Sequence, residues 1–564
     1  MDAIGEPAPP VIPPWSAGWR RLVAARRTLL LAALAIALLW SGITRMPPLD
    51  RAESRNAQAA ERMLEPGEAG LPDPSHDRHP AGIARLQAAA VSLLGTPGQR
   101  DIRAERVPGA LAALASVLLT RHIAAVLYGP DAGFIAGLLL ALTPLLGAGA
   151  RIATVDAPLL AAILAAQAAL LAVWRRRDAP PPPAGAWVAP AIFWAANGIG
   201  LTLAGPPILA VTFGTLLGLA AMQRQARWVL ALRPWPGLAL MLALGLPWIT
   251  GGASFAGPPD DSLPGGWPAL LLLTFWPGSL FAARALPWVW STRRTAGTQF
   301  LLAWIVPVWI LLAAIPARLP EAVLPICPAV AALAAGAICA PGSWRLGRAG
   351  RVLAGGFAAL WLLAGLGFAL AGPVLLAWLE HRVVWLAVFP ALVAALLVVH
   401  ASRQAKRPAP IPALACAGVA ALVISLSTWL QVLPALQTLW LTPRIAAAVR
   451  AQRPCPDSVL AAASYAEPSL IYLLGDKAKL TGPAEAAAFL HEQPACGLAL
   501  IDASDNAAFA ERARALGLSP QALTRIDGID YVTGRRLGLT LYEEARPGAL
   551  PLDPAKGREA PGPH

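Results

Sequence analysis

Charge is scarce in this chain: Asp, Glu, Lys and Arg make up 14% of 564 residues, against about a quarter in soluble globular domains. With 57% apolar residues and a mean hydropathy of +0.56, that scarcity excludes a soluble globular protein. Cysteine is scarce too, with five in all. Cys327, Cys339 and Cys416 fall in apolar segments, where a small buried side chain is the default reading. Cys455 and Cys496 fall in the C-terminal segment and form a candidate disulfide if that segment lies outside the cytoplasm. No short-period repeat is present. No set of His, Cys and acidic residues has metal-ligand spacing, so the sequence makes no cofactor certain and leaves a divalent metal open.

What is present is a series of apolar stretches of roughly 17 to 22 residues, each long enough to cross a hydrocarbon core of about 30 Å. About 13 such stretches are expected between residues 28 and 434. Between them lie short basic loops: Arg20, Arg21, Arg26 and Arg27; Arg175 to Arg177; Arg224 and Arg227; Arg293 and Arg294; Arg345, Arg348 and Arg351; Arg403, Lys406 and Arg407. They alternate with loops poor in Lys and Arg, the pattern in which basic loops stay in the cytoplasm. The net charge of +13 therefore belongs to the membrane part, because from Arg444 onward 13 basic residues face 14 acidic ones. That distribution argues against a nucleic-acid partner.

The fold class expected is a polytopic α-helical membrane protein with a small external α/β domain. Residues 1–27 form a cytoplasmic segment. Residues 28–434 form the membrane domain, with a long external first loop at 44–106 and with crossings that include one over about Ala132 to Gly149 and one over about Trp267 to Phe281. Residues 435–545 form the α/β domain, where the composition shifts near Leu441 and strand-like runs are expected at Ser458 to Ala463, Leu498 to Ile501 and Leu537 to Tyr542, and 546–564 a disordered tail. The first apolar segment is followed by no small-residue cleavage site and reads as a retained anchor. An odd number of crossings places the N-terminus in the cytoplasm and the C-terminal domain outside. Ile83 to Leu94 reads as an amphipathic helix in the interface rather than a crossing. Frequent transmembrane prolines, among them Pro144, Pro206, Pro247, Pro307, Pro325 and Pro328, predict an irregular bundle on the external side.

Three external loops carry charge at a membrane end. The first, MPPLDRAESRNAQAAERML from Met46 to Leu64, holds Asp50, Glu53 and Arg55. The second, ARIATVDAP, holds Arg151 and Asp156, and the third, PARLPE, holds Arg318 and Glu321. Ionisable groups near lipid are costly and face a cavity or a partner, so their collection on one side points to a polar site there. Structural readings stand beside this one. Asp50 and Glu53 have the spacing of a capping box, Asp156 that of a helix N-cap, and Arg318 that of a snorkelling residue.

The chain resembles the GT-C class of polyprenyl-phosphate-sugar glycosyltransferases, in particular the bacterial aminoarabinose lipid A transferases and their protein mannosyltransferase relatives. The resemblance rests on PPLDRAESRNAQAAERML, RVPGALAAL, LYGPDAGFIAGLLLALTPL, ARIATVDAPL, GLTLAGP and ARLPEAVLPICPAVAAL, in this order over most of the first 340 residues. It implies an inverting transfer of a sugar from an undecaprenyl-phosphate-type carrier to a lipid, glycan or protein acceptor at the periplasmic side of the bacterial inner membrane. Membrane lipids are the other expected partners. Asp50 matches the catalytic carboxylate, with Glu53 and Asp156 as further acidic site residues. Arg318 matches a basic residue at the donor phosphate and Arg55 the basic residue of the first motif, while Arg78, His79 and Arg151 are further donor-phosphate candidates. The family's basic residue of the fifth crossing is Ala204 here. The loop after Trp248 is short and acidic, with Asp260 and Asp261. These departures support an alternative, a catalytically weak or inactive GT-C-like protein acting as a lipid-linked glycan transporter or binding scaffold. A transporter would place charges midway through its spans, whereas here they sit at the ends.

Overall fold

The structure is a computed structural model that describes residues 14–64, 82–95, 100–177, 187–223, 227–250, 266–314, 320–342, 347–407 and 409–545. Arg78, His79, Arg318, Asp260, Asp261 and the 546–564 tail lie outside the described residues.

The chain opens with α1 (Pro14–Trp40), then two short helices of the first loop, α2 (Ala52–Arg62) and α3 (Gly82–Leu94). The bundle continues through α4 (Ile102–Tyr128), α5 (Pro130–Ala141), α6 (Pro144–Gly149), α7 (Asp156–Trp174), α8 (Val188–Ala204), α9 (Pro207–Gln223) and α10 (Pro234–Thr250). Next come α11 (Trp267–Thr274), α12 (Gly278–Thr292), α13 (Ala296–Ala314), α14 (Cys327–Cys339), α15 (Arg348–Leu379), α16 (Trp385–Gln404), α17 (Ile411–Ser427) and the short α18 (Leu433–Ala435). Among the described residues, seven helices are long and apolar enough to cross a membrane, or eight if the bent pair α11 and α12 makes one span. This count does not reach the 13 expected; α5, α8, α9 and α10 are apolar but run only 12 to 17 residues.

Proline accounts for two departures from the expected spans. The crossing expected over Ala132 to Gly149 is split, because Pro144 has no N–H to continue a helix and instead starts α6 at its first position. The crossing expected over Trp267 to Phe281 is bent by 120° between α11 and α12. There the Trp276 ring stacks on Trp361, with centroids 5.5 Å apart, and Trp361 Nε1 donates to the Pro277 carbonyl at 3.2 Å. Buried polar pairs bind neighbouring helices: Gln167 Nε2 donates to Thr215 Oγ1 at 2.7 Å between α7 and α9, and Thr212 Oγ1 to Asn197 Oδ1 at 2.6 Å between α9 and α8.

The C-terminal domain adds α19 (Leu441–Gln452), β1 (Val459–Ala463), α20 (Pro468–Leu474), β2 (Ala478–Thr481), α21 (Pro483–Glu492), β3 (Gly497–Asp502), α22 (Asn506–Ala515), β4 (Pro520–Asp530) and β5 (Arg535–Glu544). The strand order is β2-β1-β3-β5-β4, parallel among β2, β1 and β3 and antiparallel from β3 to β5 and from β5 to β4. Alternation along β1 feeds both faces: Leu460 and Ala462 pack with Leu441 and Ile445 of α19, Ala461 and Ala463 with Leu490 of α21 and Phe509 of α22. Cys455 and Cys496 are joined by a disulfide across the start of this domain.

Candidate active site

The first-loop motif is pinned from below by a buried ion pair. Glu53 and Arg106 are both fully enclosed, with Arg106 Nε 2.8 Å from Glu53 Oε1 and Nη2 2.8 Å from Oε2. Arg106 uses its remaining donors on the carbonyls of Ile43, Met46 and Pro47 at 2.8 to 2.9 Å. Its fork thus holds the whole turn from the first span into the motif. Glu53 also accepts from the backbone N–H of Leu49 at 2.8 Å and of Ala153 at 2.7 Å. The Ala153 carbonyl in turn accepts from Asn56 on α2 at 3.2 Å and Gln87 on α3 at 2.9 Å. The loops that hold Asp50 and Asp156 are therefore tied into one unit.

Glu53, expected among the catalytic groups, is wholly occupied in this junction, and its buried oxygens meet four structural donors. The capping-box expectation also changes. Glu53 reaches back to Leu49 rather than to Asp50, Arg51 rather than Asp50 precedes α2 with φ near +58°, and no side chain caps that helix.

Released from capping, Asp50 faces the C-terminal domain. Its Oδ1 accepts from Ser469 Oγ, and its backbone N–H donates to the Tyr531 hydroxyl at 2.7 Å. Burial raises the Asp50 carboxyl above the ordinary aspartate range, while hydrogen bonds from Ser469 and Tyr531 work in the opposite sense. Nearby Glu467 is pushed up to about 7, by burial first and then by the negative charge of Asp50 and Asp530, with Arg51 and Arg55 partly compensating. Arg55 is exposed and Arg51 lies one turn before it, so the motif presents two cations toward Glu467.

Asp156 is the first residue of α7 and accepts from Thr154 Oγ1 at 2.8 Å, a half-buried position within electrostatic reach of Glu321. Arg151 departs from the expectation of a donor-phosphate ligand. Its buried guanidinium donates to the carbonyls of Leu38, Ser41 and Gly147 and to Ser41 Oγ, and lies 4.6 Å from the centre of the Trp429 ring. Ala204, where the family has a basic residue, ends α8.

Beside this junction the helices α3, α4, α7 and α8 enclose an apolar groove of 650 Å³, walled by residues such as Leu93, Leu111, Ala161 and Ile199. The C-terminal domain closes the other side through α20: Gln58 donates to the Pro468 carbonyl at 2.5 Å, Arg100 to those of Ile471 and Tyr472 at 3.0 and 3.1 Å, and Tyr472 to Glu105 at 3.2 Å. Sequence reasoning did not find this partner. A seven-residue helix leaves almost no periodic signal, and nothing in PSLIYLL marks it as the lid of Asp50.

Residues 78–250 match the model of the dolichyl-phosphate-mannose-protein mannosyltransferase family. The fold superposes on ArnT from Cupriavidus metallidurans in its apo state, with a TM-score of 0.63 at 17% identity over 93% of this chain and 98% of that one. The same protein bound to undecaprenyl phosphate gives 0.65 at 17% identity over 91% and 97%. Nearly the whole chain therefore has the fold of ArnT, and its residues 78–250 carry the mannosyltransferase-family match. Comparison with curated protein sequences finds no match. Both ArnT structures cover nearly the whole of this chain, so its membrane bundle and α/β domain together share that fold.

Proposed function

We propose that the protein transfers a sugar from a polyprenyl-phosphate carrier to the hydroxyl of a lipid, glycan or protein acceptor, with inversion at the anomeric carbon and Asp50 as the catalytic carboxylate. The observation that carries this reading is the setting of Asp50. It is a desolvated carboxylate on a turn made rigid by the Glu53 and Arg106 pair, and Val107, the residue after Arg106, lines the apolar groove.

In that reaction Asp50 takes the proton of the acceptor hydroxyl as the oxygen forms its bond to the anomeric carbon. The bond from that carbon to the carrier phosphate breaks, and the electron pair leaves with the phosphate. Charge develops on the departing phosphate, so cations are required there. Arg51 and Arg55 follow Asp50 in the same motif, and Arg318, Arg78 and His79 remain candidates for the same task, whereas Arg151 and Glu53 are assigned to holding the loops. Undecaprenyl phosphate, bound by the Cupriavidus neighbour, is the carrier class that the apolar groove suits, since its walls offer hydrocarbon contact for an isoprenoid chain. The alternation of basic loops in the sequence supports an N-terminus in the cytoplasm and a site at the periplasmic face.

The test is transfer of radiolabelled sugar from an undecaprenyl-phosphate donor in proteoliposomes. Asp50→Asn removes the base without altering shape, and transfer should fall by about 10²-fold or more with the folded fraction unchanged by gel filtration. Wild-type transfer by that variant would refute the assignment.

A further inference from the structure

The hydroxyls around Asp50 form a chain whose direction follows from proton counting. Ser469 Oγ donates its one proton to Asp50, so in its 2.6 Å contact with Thr442 Oγ1 it must accept. Thr442 has then given its proton to Ser469, so in its 2.6 Å contact with the Tyr465 hydroxyl it accepts in turn. The result is a relay from Tyr465 through Thr442 and Ser469 to Asp50, all pointing toward the carboxylate. Tyr465, Thr442 and Ser469 are 3%, 3% and 0% exposed, so water does not replace a missing member. Tyr531 completes the arrangement: its oxygen accepts from the Asp50 N–H, which leaves its own proton free for the Asp50 carboxylate. Every donor in this set belongs to the C-terminal domain, from α19, the loop after β1, α20 and the turn after β4.

Resting on the reading of Asp50 as catalytic carboxylate, we propose that the C-terminal domain completes the catalytic site, with Ser469, Thr442, Tyr465 and Tyr531 as positioning residues that orient Asp50 and keep it ionised. Hydrogen bonds to a carboxylate favour its charged form, and chains of them reinforce one another. The other charged or titratable groups near Asp50 are Asp530 at the end of β4 and Glu467 before α20, with Arg51 and Arg55 of the first loop acting on Glu467. None of these donates along the chain.

The experiment is kcat/KM for sugar transfer against pH, using the full-length protein in proteoliposomes. Loss of a donor raises the pH at which Asp50 ionises, so the acid limb in Ser469→Ala and in Tyr531→Phe should move upward by about half to one unit. That is a loss of about 3- to 10-fold on the acid side and a smaller loss at high pH. Ser469→Thr keeps the hydroxyl and should return the limb toward wild type. The Ser469→Ala shift should persist in a Glu467→Gln background; if it vanishes there, it belonged to Glu467 and the proposal fails. Tyr531 is 38% exposed, so its loss of one hydroxyl tests the idea even where a core variant misfolds. Wild-type acid limbs in both Ser469→Ala and Tyr531→Phe, alongside an inactive Asp50→Asn, would overturn the proposal alone. Undiminished transfer by Asp50→Asn would overturn the reading beneath it.

Discussion

Arg106 does more for the first loop than any residue of the motif itself. It has two carboxylate contacts and three carbonyl contacts, and no water-exposed atom. Removing either member of such a pair leaves an unpaired charge in a dry site, which costs about 3–5 kcal/mol. Arg106→Met, which keeps the length and drops the charge, is therefore expected to lower the unfolding temperature measured in detergent and to abolish transfer. The joint change with Glu53→Leu should recover part of the stability without recovering activity. The sequence made Asp50, Glu53, Asp156 and Arg151 stand out because charges beside apolar runs are conspicuous. It did not divide them by role, since that depends on partners far along the chain: Ala153 for Glu53, Ser41 for Arg151, Ser469 for Asp50.

Elements with strong periodicity or composition were legible. The external helix expected from Ile83 to Leu94 is α3, and strands expected at Ser458 to Ala463, Leu498 to Ile501 and Leu537 to Tyr542 correspond to β1, β3 and β5. β4 was not, because its outer residues are polar and half-exposed and its identity comes from pairing with β5. Nor were the interruptions at Pro144 and Pro277, where an apolar run looks continuous although the helix is not. The position of α3 turns on one glycine. At Gly82 a Cβ would run into the Thr202 carbonyl and the adjoining backbone of α8. Gly82→Ala should thus push the start of α3 off α8 at a cost of about 1–3 kcal/mol, read as faster proteolysis of the first loop in the folded protein. Unchanged cleavage would show that the contact relaxes without moving the helix.

At the scale of the molecule, the loops holding Asp50 and Asp156 join the membrane bundle to the α/β domain: α20 packs against the first loop, and the apolar groove of the bundle begins at Val107, next to the Arg106 that holds that loop. Bulk composition announced the bundle and the composition shift near Leu441 announced the domain, but nothing local in sequence says that the two touch at Asp50. If the groove holds the carrier's isoprenoid chain, filling it should weaken donor binding and leave the chemistry intact. Ala161 on α7 lies half-buried in its wall, and Ala161→Trp introduces a ring where the chain would run. The expected outcome is a rise in donor KM of about tenfold or more, equivalent to about 1.4 kcal/mol, with kcat within about threefold of wild type. A water-soluble donor with a short prenyl tail, which does not reach the groove, should show no such difference between the two proteins. Equal KM values for both proteins with the long-chain donor would mean that the chain lies elsewhere and that the groove serves ordinary membrane lipid.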